Sequence, residues 1–183
     1  GATAELNALL PTLTLTPALD YNADFTMATS VDDGVAAPVT GVKNVTGIPV
    51  NDAPLATSLN APETYSEDTP LDFTDIVVSD VDSANVTVTL TLSDSGAGAL
   101  STATSGAVTS TYNAATGVWQ ASGAVADVNA LLASLTFNPA LNFNSDFTIA
   151  TSVDDGVAAP ITGVKNVTGI PVNDAPVATN LNA

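Results

Sequence analysis

The chain repeats itself. Residues 7–61 (NALLPTLTLTPALDYNADFTMATSVDDGVAAPVTGVKNVTGIPVNDAPLATSLNA) recur as residues 129–183 at an offset of 122, and 11 of the 55 aligned positions differ. Upstream, GATAEL from Gly1 faces GAVADV from Gly123 more weakly. A period of 122 residues is too long for a solenoid, whose repeats are single supersecondary units of roughly 20–50 residues. It is the size of an autonomous domain. The chain therefore reads as about one and a half copies of a tandem domain, and the near-identity points to a longer array. The differences are mainly size-tolerant apolar exchanges such as Leu15/Phe137, Tyr21/Phe143 and Met27/Ile149, the kind that cores accept. The acids of SVDDG and VNDAP do not change.

Local pattern predicts strands. Val86–Leu92 alternates apolar and hydroxyl residues with period two, which places Val86, Val88, Leu90 and Leu92 inward. Phe147–Val153 alternates likewise, and Phe25–Val31 copies it. Thr109–Tyr112 and Val118–Ala121 flank the Gly-ended loop Asn113–Gly117, a hairpin. Leu71–Val78, broken at Asp75, and Val164–Val172 are further strands. One helix is expected, Asp127–Ala133, with Asp127 as its N-cap. Many short strands with frequent turn signals predict an all-β fold, an antiparallel Ig-like β-sandwich. Val88, Leu90, Trp119, Phe147 and Ile149 are the expected core. The segments Pro49–Pro54 and Pro171–Pro176 (PVNDAP) read as stiff linkers. Cutting there gives residues 1–54 as the C-terminal part of one repeat, 55–176 as a complete repeat, and 177–183 as the first strand of the next.

Charge narrows the chemistry. Two lysines, Lys43 and Lys165, stand against 19 acids, a formal charge of −17, with no Arg, His or Cys. Such a surface repels phosphate, which argues against nucleic-acid partners and against anionic membranes. Thiolate and imidazole chemistry is excluded, and with it zinc sites and Ser-His-Asp triads. Carboxylate pairs remain, but none sits in an apolar stretch, so no enzyme activity is expected. No apolar run approaches the roughly 20 residues of a membrane-spanning helix. The fitting partner is a cation. Of the acids, 16 are Asp and 3 are Glu, and Asp belongs to turns and hard-cation sites.

Tyr65–Pro70, Ser79–Asn85, Tyr112–Trp119, Val153–Gly156 and Val172–Pro176, in that order, resemble the cadherin-like repeats of giant secreted bacterial adhesins, the group of VCBS and RTX surface proteins. Tyr65–Pro70 (YSEDTP) is similar to the family's early Glu-Asn-x-Pro segment. Ser79–Asn85 (SDVDSAN) resembles its D-x-D…N element, and Tyr112–Trp119 its F-x-I-D-x-x-T-G-x-I hairpin. Val153–Gly156 (VDDG) resembles A-x-D-x-G, and Val172–Pro176 (VNDAP) the D-x-N-D-N-A-P linker. The resemblance implies a cadherin-like sandwich with calcium at the linkers. It implies Asn51 and Asp52 from the linker, with Glu67, Asp80, Asp82 and Asp155 from the following repeat, as ligands of one junction, and a carbonyl from Asn85. The family's D-R-E motif is absent, Asp127 lying near its place, and Pro49 stands where the linker's first Asp would be. One or two ions per junction are therefore expected.

Physical chemistry points the same way. Calcium takes 6–8 oxygens at about 2.3–2.6 Å. Carboxylates gathered without a cation repel, at ~4 Å by about 1–4 kcal/mol per pair. With one Lys per repeat, the protein cannot neutralise such a cluster itself. The other acids, Asp32, Asp72, Asp75, Asp94 and Asp154, read as solvated or turn residues. Lys43 and Lys165 read as solvated strand lysines that discourage edge pairing. Trp119 reads as a core plug beside the hairpin. The expected function is a spacer or stalk repeat of a secreted cell-surface adhesin, stiffened by Ca2+ and joined to neighbouring repeats of the same or another chain. Two alternatives stand beside it: a subunit of an extracellular filament completed by strands of another chain, and a module binding glycan or protein.

Overall fold

The computed structural model of the protein describes residues 3–178, which form two compact units dividing between Val50 and Asn51. The division falls ahead of the expected cut at Leu55, because Asn51 and Asp52 hydrogen-bond to side chains of the second unit. Of the residues assigned to a third repeat, 179–183 lie outside those described.

The first unit holds helix α1 (Thr3–Leu9), a 3-10 turn at Leu10–Thr12, and the hairpin of β1 (Phe25–Val31) and β2 (Val39–Val45). The second unit begins with β3 (Leu55–Ala56), β4 (Glu63–Ser66), β5 (Leu71–Asp72), β6 (Val78–Ser79) and β7 (Asn85–Leu92). It continues through β8 (Gly98–Leu100), β9 (Thr104–Ser105), β10 (Val108–Thr109), β11 (Thr111–Asn113) and β12 (Val118–Ala124). Helix α2 (Val125–Leu132), β13 (Thr136–Pro139), β14 (Phe147–Asp154) and β15 (Ile161–Ile170) complete it.

The second unit is an all-β, sandwich-like domain. Its large sheet has the order β11-β12-β7-β14-β15-β4, and β5-β13-β8 forms a smaller sheet. Phe137 of β13 meets Phe147 and Tyr65 of the large sheet at ring-centroid distances of 4.9 and 5.4 Å, which closes the core between the two. The alternation in β7 buries Val86, Val88, Leu90 and Leu92 as expected, and Trp119, Phe147 and Ile149 are buried with them. Each such side chain stabilises the fold by about 1.5–3 kcal/mol. Trp119 also donates from Nε1 to the Ser101 carbonyl at 2.9 Å.

Three local expectations need correction. The sandwich is not wholly antiparallel, since β4 pairs parallel with β15. The Leu71–Val78 strand is two short strands, β5 and β6, which pair in different sheets. The helix starts at Val125, and Asp127 does not cap it. Its carboxylate instead accepts from Ser105 Oγ and Ala107 N.

The first unit corresponds to the later part of the second. α1, β1 and β2 match α2, β14 and β15 at the offset of 122. β14 buries every second residue and β15 buries Lys165 and Val167, whereas no described residue of the first unit is buried. β15 runs to Ile170 because Val167–Ile170 pairs with β4. β2 stops at Val45, where its counterpart meets that partner. Residues 14–17, counterparts of β13, are not a strand, and β5 and β8, which flank β13, have no copy in the first unit.

Candidate functional site

Four segments of the second unit come together at one end of the large sheet. β7 and β14 are antiparallel with Asp154 opposite Thr87, so the start of β7 and the end of β14 share that end. The β3–β6 pairing sets Leu55 opposite Ser79, which draws residues 51–54 alongside the loop after β6. Asn51, Asp52, Asp80, Asp82 and Asp155 meet there. Asn51 Nδ2 donates to Asp155 Oδ2 at 2.7 Å and to the Asp52 carbonyl at 2.8 Å. The Asp52 amide donates to Asp82 Oδ2 at 2.8 Å. Asn51 Oδ1 accepts from Ser83 Oγ at 3.5 Å.

Asp80 shapes the loop itself. Its Oδ1 accepts from the amides of Asp82 and Ser83 at 2.9 and 2.7 Å, an Asx turn that folds the carboxylates together. Its Oδ2 is buried and is the one buried side-chain polar atom without a partner among the described residues. An unsatisfied carboxylate oxygen carries a desolvation cost of at least about 1–3 kcal/mol. Asp155 Oδ1 accepts from the Val157 and Ala158 amides at 3.0 and 2.9 Å. The Asn51 amide first, then the Val157 amide, holds the Asp155 carboxyl below its ordinary value of 3.8. A depressed carboxyl contributes stability above that ordinary value and loses it as pH falls through its folded one. At neutral pH Asp155 is therefore an anion.

Asn85 opens β7 and lines a groove with Asp154 and Asp155, beside the cluster. Glu67 is placed elsewhere. β4 runs parallel to β15 and carries Glu67 to the far end of that strand, where its amide donates to the Ile170 carbonyl at 2.9 Å. Its Oε2 accepts from the Val172 amide at 2.8 Å and Asn144 Nδ2 at 3.1 Å. The ten residues of β15 put about 30 Å between that end and Asp155. Glu67 thus stands beside the following linker, where Asn173 Nδ2 donates to the Asp174 carbonyl just as Asn51 does to Asp52. Among the described residues, no three Asp or Glu side chains converge as a preformed metal cage. The site is a hydrogen-bonded cluster of separate acids whose one orphan oxygen is on Asp80.

Two polar positions of the second unit escaped the sequence. Lys165 is buried, contrary to the expectation of a solvated lysine, and pairs with buried Glu63 at 2.7 Å. Lys43, its counterpart, is exposed. Asn129 of α2 accepts from the Val78 amide and donates to the Val78 carbonyl at 2.8 and 2.9 Å, which pins β6 as a neighbouring strand would. The singular lysine of each copy was the available signal for the first; nothing in the local pattern marks the second.

No protein-family model matches the chain, and no curated protein matches it. Among solved structures it is similar to domains 4 and 5 of the S-layer protein SbsC, with 15% identity and a TM-score of 0.36. That match covers 79% of this chain and 58% of the other. Among the described residues, no helix is long and apolar enough to cross a membrane.

Proposed function

We propose that the chain is a structural spacer repeat of a secreted cell-surface adhesin, and that Ca2+ at the Asn51–Asp155 cluster fixes each linker to the domain that follows it. The observation that carries this reading is the docking of the linker. Asn51 and Asp52 bind Asp155 and Asp82, in a cluster where Asp80 Oδ2 is buried without a donor. The donor set is all oxygen, which suits a hard cation. Asp80, Asp82 and Asp155 would supply carboxylates, Asn51 its amide oxygen, and Asn85 a carbonyl. Glu67 belongs to the cluster of the next linker, with Asn173 and Asp174. A chain of charge −17 with two lysines has little of its own to neutralise such sites. The role is mechanical: calcium stiffens the linkers so that a row of repeats projects away from the cell.

The melting temperature in EDTA and in ~10 mM calcium tests it, with magnesium as control. Extracellular calcium modules bind with Kd near 10⁻⁴–10⁻³ M. A hundredfold excess over Kd stabilises by about 2.7 kcal/mol. Calcium should raise the melting temperature, and Asp80→Ala should remove most of the rise. Asp94→Ala should leave it, since Asp94 only turns its own loop by accepting from the Gly96 amide. Equal melting temperatures with and without calcium, or an equal response to magnesium, would remove the mechanism.

A further inference from the structure

The loop between β14 and β15, residues 155–160, opens with Asp155–Gly156, the sole Asp–Gly step of the second unit, which has no Asn–Gly step. In such a step the side-chain carboxyl can close a five-membered ring on the next residue's amide nitrogen. Glycine hinders that approach least, because it has no Cβ. Gly156 also has room for it. It is exposed, its φ is +80°, and a Cβ built on it would meet nothing within 4 Å.

Two kinds of contact hold the Asp155 carboxylate away from that nitrogen. The first lies within the loop. Asp155 Oδ1 accepts from the Val157 and Ala158 amides at 3.0 and 2.9 Å, while the Gly156 amide donates to Asp154 Oδ1 at 2.7 Å. The same three bonds, at the same distances, recur around Asp33–Gly34 in the first unit. Bonds internal to an exposed loop open whenever the loop fluctuates. The second contact comes from outside the loop. Asn51 Nδ2 donates to Asp155 Oδ2 at 2.7 Å and so ties the carboxylate to a segment 104 residues away in sequence. That segment is itself held, by the Asp52 amide on Asp82 Oδ2 at 2.8 Å. While the linker is docked, the carboxylate cannot turn back onto Gly156.

We propose that Asp155–Gly156 is a site of spontaneous aspartate isomerisation that the docked linker keeps closed, and that it opens when Asn51 releases Asp155. The Gly156 amide nitrogen then attacks the side-chain carboxyl carbon of Asp155. A bond forms from nitrogen to that carbon and one of its carbon–oxygen bonds breaks. The oxygen leaves as water, with the amide proton and a proton from solvent. Water then reopens the five-membered imide. Attack at the side-chain carbonyl restores aspartate; attack at the backbone carbonyl leaves isoaspartate, with the chain running through the former side chain. No oxidant and no cofactor takes part, and the mass of the protein is unchanged. Isoaspartate adds a methylene to the backbone and displaces the carboxylate that Asn51 holds, so a linker that has undocked loses its anchor for good. The inference stands on the docking contacts and needs no cation.

Prolonged incubation of the full chain and of its Asn51→Ala variant, near neutral pH in EDTA, tests it. Peptide mapping with electron-transfer fragmentation locates isoaspartate, and a free peptide of residues 152–160 gives the unguarded rate. Isoaspartate should accumulate slowly at position 155 in the parent. In the variant it should accumulate about tenfold faster or more, because losing a hydrogen bond to a charged group raises the open fraction by that order. Asp33–Gly34 in the same sample is the reference, and its rate should not change. The fluorescence of Trp119, the sole tryptophan, reports that the second unit stays folded, and Asn51→Ser is the second variant should the first unfold. Equal rates in parent and folded variant would overturn the guard, and so would a parent as fast as the peptide. A variant without isoaspartate at position 155 would overturn the site. A rise at Asp33 equal to that at Asp155 would assign the effect to general loosening and overturn both. Calcium enters none of these outcomes, so they leave the proposed function to its own test.

Discussion

Glu63→Ala should destabilise the second unit by about 3–5 kcal/mol, because it strands the Lys165 ammonium in an apolar interior. Lys165 lines a small cavity with Phe73, Ile76, Leu90 and Ile149. Four hydrogen bonds hold the pair. Lys165 Nζ reaches Glu63 Oε1 at 2.7 Å and the Thr74 carbonyl at 3.3 Å. The Thr74 amide and hydroxyl donate to Glu63 Oε1 and Oε2 at 3.1 and 3.3 Å. Removing both charges is a different experiment. Glu63→Leu with Lys165→Met should recover the loss and is expected to be neutral or stabilising, by up to about 1–4 kcal/mol. Trp119 is the sole tryptophan and lies in the second unit. Its fluorescence in a urea titration therefore reports that unit alone. A single variant within 1 kcal/mol of the parent would mean that Lys165 reaches water, and would dissolve the argument.

Trp119→Ala should cost a similar amount, about 3–5 kcal/mol, through lost transfer energy and the cavity left behind. The indole is fully buried in β12, opposite Leu90 of β7, and its Nε1 satisfies the Ser101 carbonyl. Trp119→Phe separates the two contributions. It keeps most of the apolar contact but orphans that carbonyl, a loss of about 1–3 kcal/mol. Thermal unfolding followed by far-ultraviolet circular dichroism measures both, since the fluorescent probe is gone. A Phe variant as stable as the parent would show that the Ser101 carbonyl finds another donor. An Ala variant as stable as the parent would show that the core between the sheets is not where the domain's stability resides.

These two sites mark the limits of reading such a chain from its sequence. Trp119 and the Val86–Leu92 face were legible because period two with one buried side is a local pattern, and the strand obeys it wherever it pairs. The Lys165–Glu63 pair was not. It joins residues 102 apart, and it exists only because β4 lies parallel beside β15. The two lysines sit in the same run of residues, Thr-Gly-Val-Lys-Asn-Val, yet one is exposed and the other buried. No local pattern can separate them; the missing partner does. The candidate site divides in the same way. Sequence order suggested which oxygen donors group together, and Asn51, Asp52, Asp80, Asp82 and Asp155 do meet. Order could not tell at which end of a strand Glu67 emerges. That depends on the direction of β4, which a four-residue strand does not announce. The N-terminus of α2 was missed by two residues because Ala124 precedes it with no capping side chain.

The parallel pairing of β4 with β15 also has a consequence under tension. In the second unit the chain enters at the Asp155 end and leaves at the Glu67 end. A pull on its two termini therefore draws β4 and β15 in opposite directions along their common axis. Force along the strands meets the four register pairs from Val167–Glu63 to Ile170–Ser66 side by side. They must slide together, instead of opening one at a time as in a peeled hairpin. A domain connected this way yields late and abruptly. Stretched through its termini in a single-molecule experiment, it should hold to a higher force than when β14 and β15 are pulled apart from their shared loop. Equal forces in the two directions would mean that the strand pair does not act as the clamp.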